Sequence, residues 1–372
     1  MANVLSIVSY KIFPAKFGGQ KGIANFNEYF SKYHKLFCLT VKANDTNAAP
    51  YTIVNKLSNS RFRYINIFYF SLVKKIIREN NISHVIVEHP YYGWLGILLK
   101  RFCKVKLIIH SHNIESERFK TTGKWWWKIL WQYEKYVHKN ADFTFCITEN
   151  DRYYFIDAYK IPPERTAVIT FGISWNVPPS LVERSQARIE LLKKYSLNED
   201  TILFLFNGAL EYQPNLNAVK NIVEKINPLF IKKDALYKII ICGKNLPAEM
   251  NGLKQYNDEN IIYAGYVDDI TIYFEGANIF INPVTDGGGI KTKLVEALGY
   301  NMNVVSTING AIGVDAGICN GKLLLSENSD WQSFADKMLE AIQIDQSISK
   351  EFFNFFYWDN IAAKAAGIVD NI

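Results

Sequence analysis

The chain has 372 residues, about twice the length that one hydrophobic core usually serves, so the sequence predicts two domains. Its composition, 49% hydrophobic and 21% charged residues with 11 prolines, is globular, and no run of 18 apolar residues predicts a membrane-spanning helix. The charge is uneven, because residues 1–180 hold 25 Lys and Arg against 12 Asp and Glu, a net charge of +13, and residues 181–372 hold 17 against 24, a net charge of −7.

Short apolar runs rich in β-branched and aromatic residues alternate with helix-like segments along the chain. The predicted strands of the first half are 4–9, 36–41, 84–88, 106–110, 143–147 and 167–169, and those of the second half are 201–206, 238–242, 261–264, 279–281, 303–306 and 322–325. The predicted helices among them are 65–79, 125–139, 216–226, 291–298 and 333–343. Runs buried on both faces and separated by helices are typical of parallel sheets, so each half is predicted to be a doubly wound α/β domain.

Three features of the sequence bear on the location of the protein and on its domain boundary. The opening residues favour a buried first strand over a secretory signal, because they lack a basic leader and a long apolar stretch. Five scattered cysteines without zinc spacing favour reduced thiols and a cytoplasmic location. Gly172 and the pair Pro178 and Pro179 indicate a hinge, so we expect domains over residues 1–175 and 176–350 with ligands bound in the cleft between them.

The most specific segment is 281–298, where a strand leads into Gly287, Gly288 and Gly289 and then into a helix. Glycines permit positive φ and close approach of a ligand, and the helix start offers unpaired N–H groups and a positive dipole end. Lys291 and Lys293 add two cations, so we expect a diphosphate here, and the alternative is a turn with solvated lysines. The run matches neither the P-loop nor the dinucleotide-binding pattern, which argues against kinase, ATPase and NAD-dependent functions.

Six stretches of the chain resemble the retaining glycosyltransferases of family 4, which have the GT-B fold. They are residues 207–215, 264–269, 283–297 and 304–313 in the second half, and 17–22 and 110–115 in the first. The resemblance implies two Rossmann-like domains facing a central cleft, an N-terminal one for the acceptor and a C-terminal one for the nucleotide sugar. It also implies a last helix, 351–372, that crosses back to the first domain, and transfer of a sugar from a nucleotide diphosphate donor with the anomeric configuration kept and without a metal or other cofactor.

The resemblance implies roles for single residues as well. Glu296 would accept hydrogen bonds from the donor ribose, and His112 would lie near the reacting sugar, with His110 as the competing candidate. A solvated helix acid and a structural histidine are the alternatives, and Glu115 would support this loop or cap a helix. A loop containing Gly18, Gly19 and Lys21 would approach the diphosphate or the acceptor. The implied donor-binding positions are Gly208, Gly243, Lys244, Tyr266, Val267, Asp286, Gly287, Gly288, Gly289, Ile290, Lys291 and Lys293.

Two departures from the family's pattern bear on these roles. The family often carries two glutamates separated by seven residues in the donor block, and here Glu296 matches the second while Gly288 occupies the place of the first. Many members also hold the diphosphate with an Arg and a Lys after the first strand of the second domain, and residues 208–215 contain neither. We therefore expect Lys291 and Lys293 to bear more of that charge.

The segment 120–135 is dense in tryptophan and lysine. Helical spacing predicts one inward-facing set and one outward-facing set of side chains, which are Trp126, Leu130, Tyr133 and Val137 inward and Trp125, Trp127 and Trp131 outward. Aromatic residues with lysines suit a lipid headgroup layer, so we expect peripheral contact with an anionic membrane at its cytoplasmic face, where a glycan or lipid-linked acceptor would be met. The alternative is a core helix with a solvated basic edge. No nucleic-acid-binding signature accompanies the basic half, so we expect no nucleic acid partner.

The leading prediction is therefore a retaining glycosyltransferase of surface polysaccharide biosynthesis. Two alternatives stay open. One is a sugar-nucleotide epimerase on the same architecture, which would change its donor without an acceptor. The other is a catalytically silent nucleotide-binding subunit, suggested by Gly288 at the position of the family's first glutamate.

Overall fold

The computed structural model describes residues 1–15, 18–45, 49–233 and 235–372. Contacts divide the chain into two compact units, one formed by Met1–Ser174 with Phe356–Ile372 and one formed by Trp175–Phe355. Each unit is built on its own all-parallel sheet flanked by helices, which confirms the predicted α/β class with two Rossmann-like domains. Within the described residues, no helix has the length and apolar character needed to cross a membrane.

The part of the first unit that the structure describes contains seven strands. They are β1 (Asn3–Val8), β2 (Lys35–Val41), β3 (Thr52–Leu57), β4 (His84–Glu88), β5 (Lys106–Ser111), β6 (Phe143–Cys146) and β7 (Thr166–Val168), in the spatial order β3-β2-β1-β4-β5-β6-β7. The sequence predicted six of the seven. It missed β3, an edge strand that mixes polar and apolar residues and leaves most of them partly exposed, so it lacks the continuous apolar run of a central strand.

The helices of the first unit lie between these strands. They are α1 (Gly18–Phe30), α2 (Tyr69–Glu79), α3 (Gly93–Cys103), α4 (Glu115–Thr121), α5 (Trp127–Asn140) and α6 (Glu149–Asp157). The inward set predicted for α5 is only partly right, because Val137 is buried while Trp126 is half-buried. The outward prediction for Trp131 is wrong, since its Nε1–H donates to the Tyr154 hydroxyl at 2.9 Å and its ring packs edge-on against Tyr159.

Among its described residues, the second unit contains six strands and seven α-helices. The strands are β8 (Ile202–Asn207), β9 (Tyr237–Cys242), β10 (Ile261–Gly265), β11 (Ile279–Asn282), β12 (Asn303–Thr307) and β13 (Leu323–Ser326), in the spatial order β10-β9-β8-β11-β12-β13. The helices are α7 (Leu181–Lys194), α8 (Gln213–Asn221), α9 (Asn227–Phe230), α10 (Thr271–Gly276), α11 (Thr292–Gly299), α12 (Trp331–Ala341) and α13 (Lys350–Phe356). A π-helical turn, Ile222–Ile226, joins α8 to α9.

The last helix, α14 (Trp358–Asn371), packs on α1 and belongs to the first unit. The Ile173 N–H donates to the Phe356 carbonyl at 2.7 Å, and the Trp358 N–H donates to the Ile173 carbonyl at 3.0 Å. Gly172 is required at this contact, because a Cβ there would lie 2.8 Å from the Phe356 carbonyl oxygen. These bonds attach the C-terminal helix to the end of the first unit's β-series.

The strand order reverses once in each sheet, between β1 and β4 in the first unit and between β8 and β11 in the second. In open parallel sheets, ligands bind outside the carboxyl ends of the strands at such a point. The residues that follow β1, β4, β8 and β11 are therefore those to inspect for a site.

Candidate functional site

The predicted donor-binding residues of the second unit follow neighbouring strands. Gly208 follows β8, Gly243 and Lys244 follow β9, Tyr266 and Val267 follow β10, and Asp286 to Lys293 follow β11. Because β10, β9, β8 and β11 are adjacent in that order, these residues lie along one carboxyl edge of the sheet, across its switch point. The fold therefore brings the predicted residues to one side of the second unit.

The glycine loop after β11 has the backbone geometry that the sequence suggested. Gly287 and Gly289 have φ of 80° and 71°, in the left-handed region, and a Cβ on Gly288 would meet open space. Two asparagines fix the loop, since Asn217 donates to the Asp286 Oδ2 at 2.8 Å and Asn309 donates to the Gly287 carbonyl at 3.3 Å. The buried Oδ1 of Asp286 has no hydrogen-bond partner in the described structure, so it can accept a bond from a ligand.

Lys291 turns back into the glycine loop. Its Nζ donates to the carbonyls of Gly287 at 3.0 Å and Gly289 at 2.9 Å. Burial lowers the pKa of Lys291 to about 8, although the nearby Asp286 opposes the shift. The lysine thus closes the loop on itself, a role that the sequence did not predict.

Lys293 lies deeper, beneath the end of β8. Its Nζ donates to the Asn207 carbonyl and to the Asn215 Oδ1, both at 3.0 Å, and lies 4.0 Å from the centre of the Phe206 ring. Burial, reinforced by the charge of Lys291, holds the pKa of Lys293 well below its usual value. Within the described residues neither lysine has a carboxylate within ion-pair distance, so an anionic ligand would supply the counter-charge that both lack.

The helix after the loop begins at Thr292, with Lys291 extended at φ −93° and ψ 94° just before it. Ile290 is half-buried where the loop meets this turn, and Glu296 is half-buried in the second turn of α11. Helix α11 has no acidic residue in its first turn, so the positive end of its dipole is not offset there by its own side chains.

Close packing leaves no room for a side chain at Gly208, after β8, or at Gly243, after β9. A Cβ on Gly208 would lie 2.7 Å from the Asn215 Nδ2, and one on Gly243 would lie 2.2 Å from the Gly208 carbonyl oxygen. Lys244 has its Nζ 3.9 Å from Glu211 Oε1. Beyond β10, Tyr266 is 69% exposed and Val267 is half-buried.

In the first unit, Gly18, Gly19 and Lys21 belong to α1, so the prediction of a loop is wrong, and Phe17 lies outside the described residues. The glycines occupy the first turn of the helix and the Lys21 side chain is exposed. A Cβ on Gly19 would lie 3.7 Å from the Tyr10 hydroxyl, which places this helix start beside the residue that follows β1 by two positions.

His112, just beyond β5, bonds to a buried carboxylate. Its Nε2 lies 2.6 Å from the Glu88 Oε2, and the Nδ1 of His110 lies 3.0 Å from the same oxygen. Burial lowers the pKa of His112 to about 4, and the two histidines hold the pKa of Glu88 well below its usual range against the effect of burial. A neutral His112 that donates Nε2–H to Glu88 has Nδ1 left as an acceptor.

Glu88, His110 and His112 are also the described residues whose side chains could hold a metal ion, since their ligand atoms lie within 4.8 Å of one another. Two imidazoles and a carboxylate are a donor set typical of divalent transition metals. The 2.6 Å bond between His112 and Glu88, however, already joins two of the three ligand atoms.

Sequence reasoning missed His89, which follows β4 directly at the switch point. Its backbone has φ 63° and ψ 157°, a region that is almost confined to glycine. Its Nδ1 lies 3.0 Å from the Glu115 Oε1, its Nε2 lies 3.2 Å from the Tyr10 hydroxyl, and its ring centre lies 4.6 Å from that of His112. Its place at the end of a predicted central strand was the signal that could have found it.

Glu115 does not cap its helix. Its carboxylate accepts bonds from His89, from the Tyr91 hydroxyl at 2.7 Å and from the Arg118 Nε at 2.8 Å, and these partners lower its pKa to about 2 although burial opposes them. The start of α4 is instead capped by the buried Glu134, which accepts from the Glu115 N–H at 3.0 Å and from the Ser116 N–H at 3.1 Å. Glu115 is thus left to organise the groups around His89.

Two family models match most of the chain. Residues 18–174 match the model described as Glycosyltransferase Family 4, and residues 201–343 match the model described as Glycosyl transferases group 1. A Klebsiella pneumoniae protein, known as an uncharacterized 44.6 kDa protein in the cps region, is 29% identical over 169 residues. That match covers 44% of this chain and only 42% of the Klebsiella protein.

Solved structures resemble the chain over its full length. A glycosyltransferase from Rickettsia africae has a TM-score of 0.74 at 15% identity, with 100% of this chain and 98% of that one covered. Anabaena HepE in complex with UDP has a TM-score of 0.74 at 14% identity with both chains fully covered, and its complex with UDP-glucose has a TM-score of 0.71 at 13% identity, again with both chains fully covered. These likenesses confirm the predicted GT-B fold.

Proposed function

Because the chain belongs to glycosyltransferase family 4, we propose that it moves a sugar from a nucleotide diphosphate sugar to a glycan or lipid-linked acceptor. The observation that carries the proposal is the glycine loop of the second unit, where two desolvated lysines lack an anionic partner among the described residues. The complexes of Anabaena HepE with UDP and UDP-glucose support a uridine nucleotide as the first donor to test.

In this proposal the diphosphate rests on the loop after β11, against the start of α11. Breaking the anomeric bond adds charge to the leaving diphosphate, and Lys291, Lys293 and the helix dipole stabilise that charge. Glu296 accepts bonds from the ribose hydroxyls, and the orphan Oδ1 of Asp286 accepts from a hydroxyl of the donor sugar. The absence of a side chain at Gly288 leaves room for the sugar where other family members carry a glutamate.

We propose that the anomeric configuration is retained and that no metal is needed for turnover. The two lysines supply the positive charge that a divalent cation would otherwise bring to the diphosphate. Among the described residues, the Asp286 carboxylate is assigned to a hydroxyl of the donor sugar and no other side chain beside the loop is assigned as a nucleophile, so front-face attack assisted by the leaving phosphate is the proposed route. Proton NMR of the product assigns its anomeric configuration, and activity that is lost with EDTA and restored by Mg²⁺ or Mn²⁺ would contradict the metal-free mechanism.

The direct test is calorimetric titration of UDP, GDP and ADP, followed by turnover of the matching nucleotide sugars. Lys291→Met should weaken nucleotide binding at least tenfold, because it leaves a buried diphosphate charge unpaired. Lys225→Met, on an exposed lysine of the same unit, is the matched control and should bind like the wild type. Failure of all three nucleotides to bind would refute the proposal.

The position of Gly288 supports one second candidate, a catalytically silent nucleotide-binding subunit. The same titration distinguishes the two, since a silent subunit would bind the nucleotide but would neither hydrolyse the nucleotide sugar nor transfer its sugar to an acceptor.

We also propose that the first unit contacts an anionic membrane at its cytoplasmic face and that the product is a surface polysaccharide. Trp125 is 82% exposed and Ile129 is 64% exposed beside Lys124 and Lys128, and residues 1–180 carry a net charge of +13. The relation to a Klebsiella protein of the cps region supports the polysaccharide assignment. Flotation with phosphatidylglycerol vesicles but not with phosphatidylcholine vesicles is the expected result, and loss of flotation in Trp125→Ala would tie it to this surface.

A further inference from the structure

A polar cavity of about 390 Å³ lies within the second unit, at the amino ends of its strands. Its lining includes Ile202, Ile279 and Asn303, which are the first residues of β8, β11 and β12. Gly208 and the glycine loop follow the carboxyl ends of β8 and β11, at the opposite edge of the same sheet. The cavity is therefore separate from the candidate donor site.

Two cationic side chains from distant parts of the sequence line this cavity. Arg184 belongs to α7, and Lys322 directly precedes β13 and is buried. Burial and the charge of Arg184 lower the pKa of Lys322 to about 8, although Asp345 opposes the shift, and burial also lowers the pKa of Arg184. Among the described residues, neither cation forms an ion pair with a carboxylate. Two desolvated cations that repel each other favour the binding of an anion.

Both cations keep a donor for a ligand. The Lys322 Nζ donates to the Asn303 Oδ1 at 2.6 Å and to the Gln346 carbonyl at 2.8 Å, so one of its three N–H groups remains. The Arg184 Nε and Nη1 donate to backbone carbonyls at 3.4 and 3.2 Å, and its Nη2 has no bond within the described part of the chain. The cations are thus fixed in place by the protein without being used up by it.

Two neutral side chains add further donors to the cavity lining. The Asn278 Oδ1 accepts from the Leu203 N–H at 2.8 Å and from the Arg188 Nη1 at 2.7 Å, which fixes the orientation of the amide. The Asn278 Nδ2 and the Ser347 hydroxyl make no hydrogen bond among the described residues. Charged and neutral donors therefore line one space.

The arrangement of these donors suits a tetrahedral oxyanion. Arg184 has only one terminal nitrogen available, so it does not present the paired fork that binds a carboxylate. A phosphate group has oxygens in several directions and accepts bonds from donors on separate elements. Asp345 is the acidic residue of the described lining, so two positive charges stand against one negative charge, a net charge of +1. A water molecule takes about 30 Å³, so there is room for a small organic group beside the phosphate.

We propose that this cavity is a second ligand site, in which Arg184 and Lys322 hold a phosphate group, either as inorganic phosphate or as part of a small phosphomonoester. The inference goes beyond the proposed function and does not depend on it, because no residue of the glycine loop lines the cavity.

The test is calorimetric titration of inorganic phosphate, glycerol 3-phosphate and ribose 5-phosphate in a phosphate-free buffer. At least one should bind the wild type, and Lys322→Met should weaken that binding at least tenfold. Asp345→Asn removes the exposed negative charge at the cavity and should tighten binding about two- to fivefold, which a purely structural Lys322 would not explain. Glu327→Gln removes the same charge from an exposed residue at the other end of β13, so this matched control should bind like the wild type.

The glycine loop is the competing anion site, so each titration is repeated in Lys291→Met. Binding that persists in Lys291→Met, weakens in Lys322→Met and tightens in Asp345→Asn supports the inference. A higher affinity for the esters then identifies a phosphomonoester as the ligand, and equal affinities identify free phosphate. Binding that is lost in Lys291→Met and unchanged in Asp345→Asn, or no binding to the wild type, overturns it.

Folding and the proposed function are checked on the same samples. Circular dichroism shows whether Lys322→Met is folded, and if it is not, the exposed Asp345→Asn variant decides between the outcomes. UDP binding should depend on Lys291 and not on Asp345. Failure of UDP to bind would refute the proposed function and leave the phosphate site standing, and failure of the phosphate compounds to bind would do the reverse.

Discussion

The lowered pKa of Lys291 makes donor binding depend on pH in a predictable direction. Burial lowers the pKa of its ammonium group to about 8, although the nearby Asp286 carboxylate opposes the shift. A diphosphate at the loop stabilises the charged form, so the pKa of Lys291 rises on binding and the complex takes up a proton. Affinity is then greatest well below pH 8 and declines as the pH rises through 8.

The size of the effect follows from that pKa. If only the charged lysine binds well, affinity weakens by a factor of 1 + 10^(pH − 8), which is about 1.3 at pH 7.5 and about 11 at pH 9. UDP should therefore bind about eightfold more weakly at pH 9, a loss of about 1.3 kcal/mol. Lys293, whose pKa is also lowered by burial, acts in the same direction and can only enlarge the loss.

Calorimetric titration of UDP at both pH values, in buffers of different ionisation enthalpy, measures the affinity and the number of protons taken up. Lys291→Arg keeps its charge at pH 9, so its affinity for UDP should lose the pH dependence that Lys291 causes. Any change that comes from ionisation of the nucleotide itself is the same in both proteins. Lys322→Arg is the matched control, since Lys322 is 3% exposed and burial lowers its pKa to about 8, but it bonds Asn303 and Gln346 instead of the loop. Equal affinity of the wild type at pH 7.5 and 9 would refute the reasoning.

Three further outcomes are expected. Glu296→Gln should raise the donor KM about tenfold or more without lowering the thermal midpoint, because it weakens the acceptor of the ribose hydroxyls, and unchanged kinetics would remove Glu296 from the site. Gly243→Ala should lower the free energy of unfolding by about 2–4 kcal/mol, since its Cβ would lie 2.2 Å from the Gly208 carbonyl oxygen. Gly288→Ala faces open space and should lower it by less than about 1 kcal/mol. Equal losses in denaturant titrations would contradict the packing argument. Burial lowers the pKa of His138 to about 3 in the folded protein. Below about pH 6.5 the imidazole is therefore protonated in the unfolded chain but not in the folded one, so the free energy of unfolding falls as the pH falls. Between pH 7 and 5 this amounts to about 2 kcal/mol, and urea unfolding of His138→Phe should show a pH dependence smaller by that amount.

Much of the fold was predictable because a strand buried on both faces leaves an unbroken apolar run. β8 and β11 carry such runs, and β3, on the edge of its sheet, does not. The glycine loop was predictable for a similar reason, since three consecutive glycines between a strand and a helix have few other uses. Local sequence carries both signals.

The rest depends on contacts between distant residues. The sequence predicts Lys293 as a cation for the diphosphate, but its burial and direction are set by Asn207 and Asn215, which lie 86 and 78 residues away in the chain. His89 is held by Tyr10, 79 residues before it, and by Glu115, 26 residues after it. No local pattern encodes such pairings, so the strained histidine and its partners come together only once the sheet is assembled.

The return of α14 to the first unit has a consequence for the order in which the two units can fold during synthesis. Residues 175–355, which form the second unit, lie in the sequence between the two segments of the first unit. Synthesis of the first unit therefore begins before that of the second and ends after it. Ile361, Ala365 and Val369 of α14 are buried, and until they leave the ribosome the surface of α1 that they cover stays open to water. Truncation of α14 should therefore destabilise the first unit. The second unit, although it is nearer to the cut in sequence, should keep its fold.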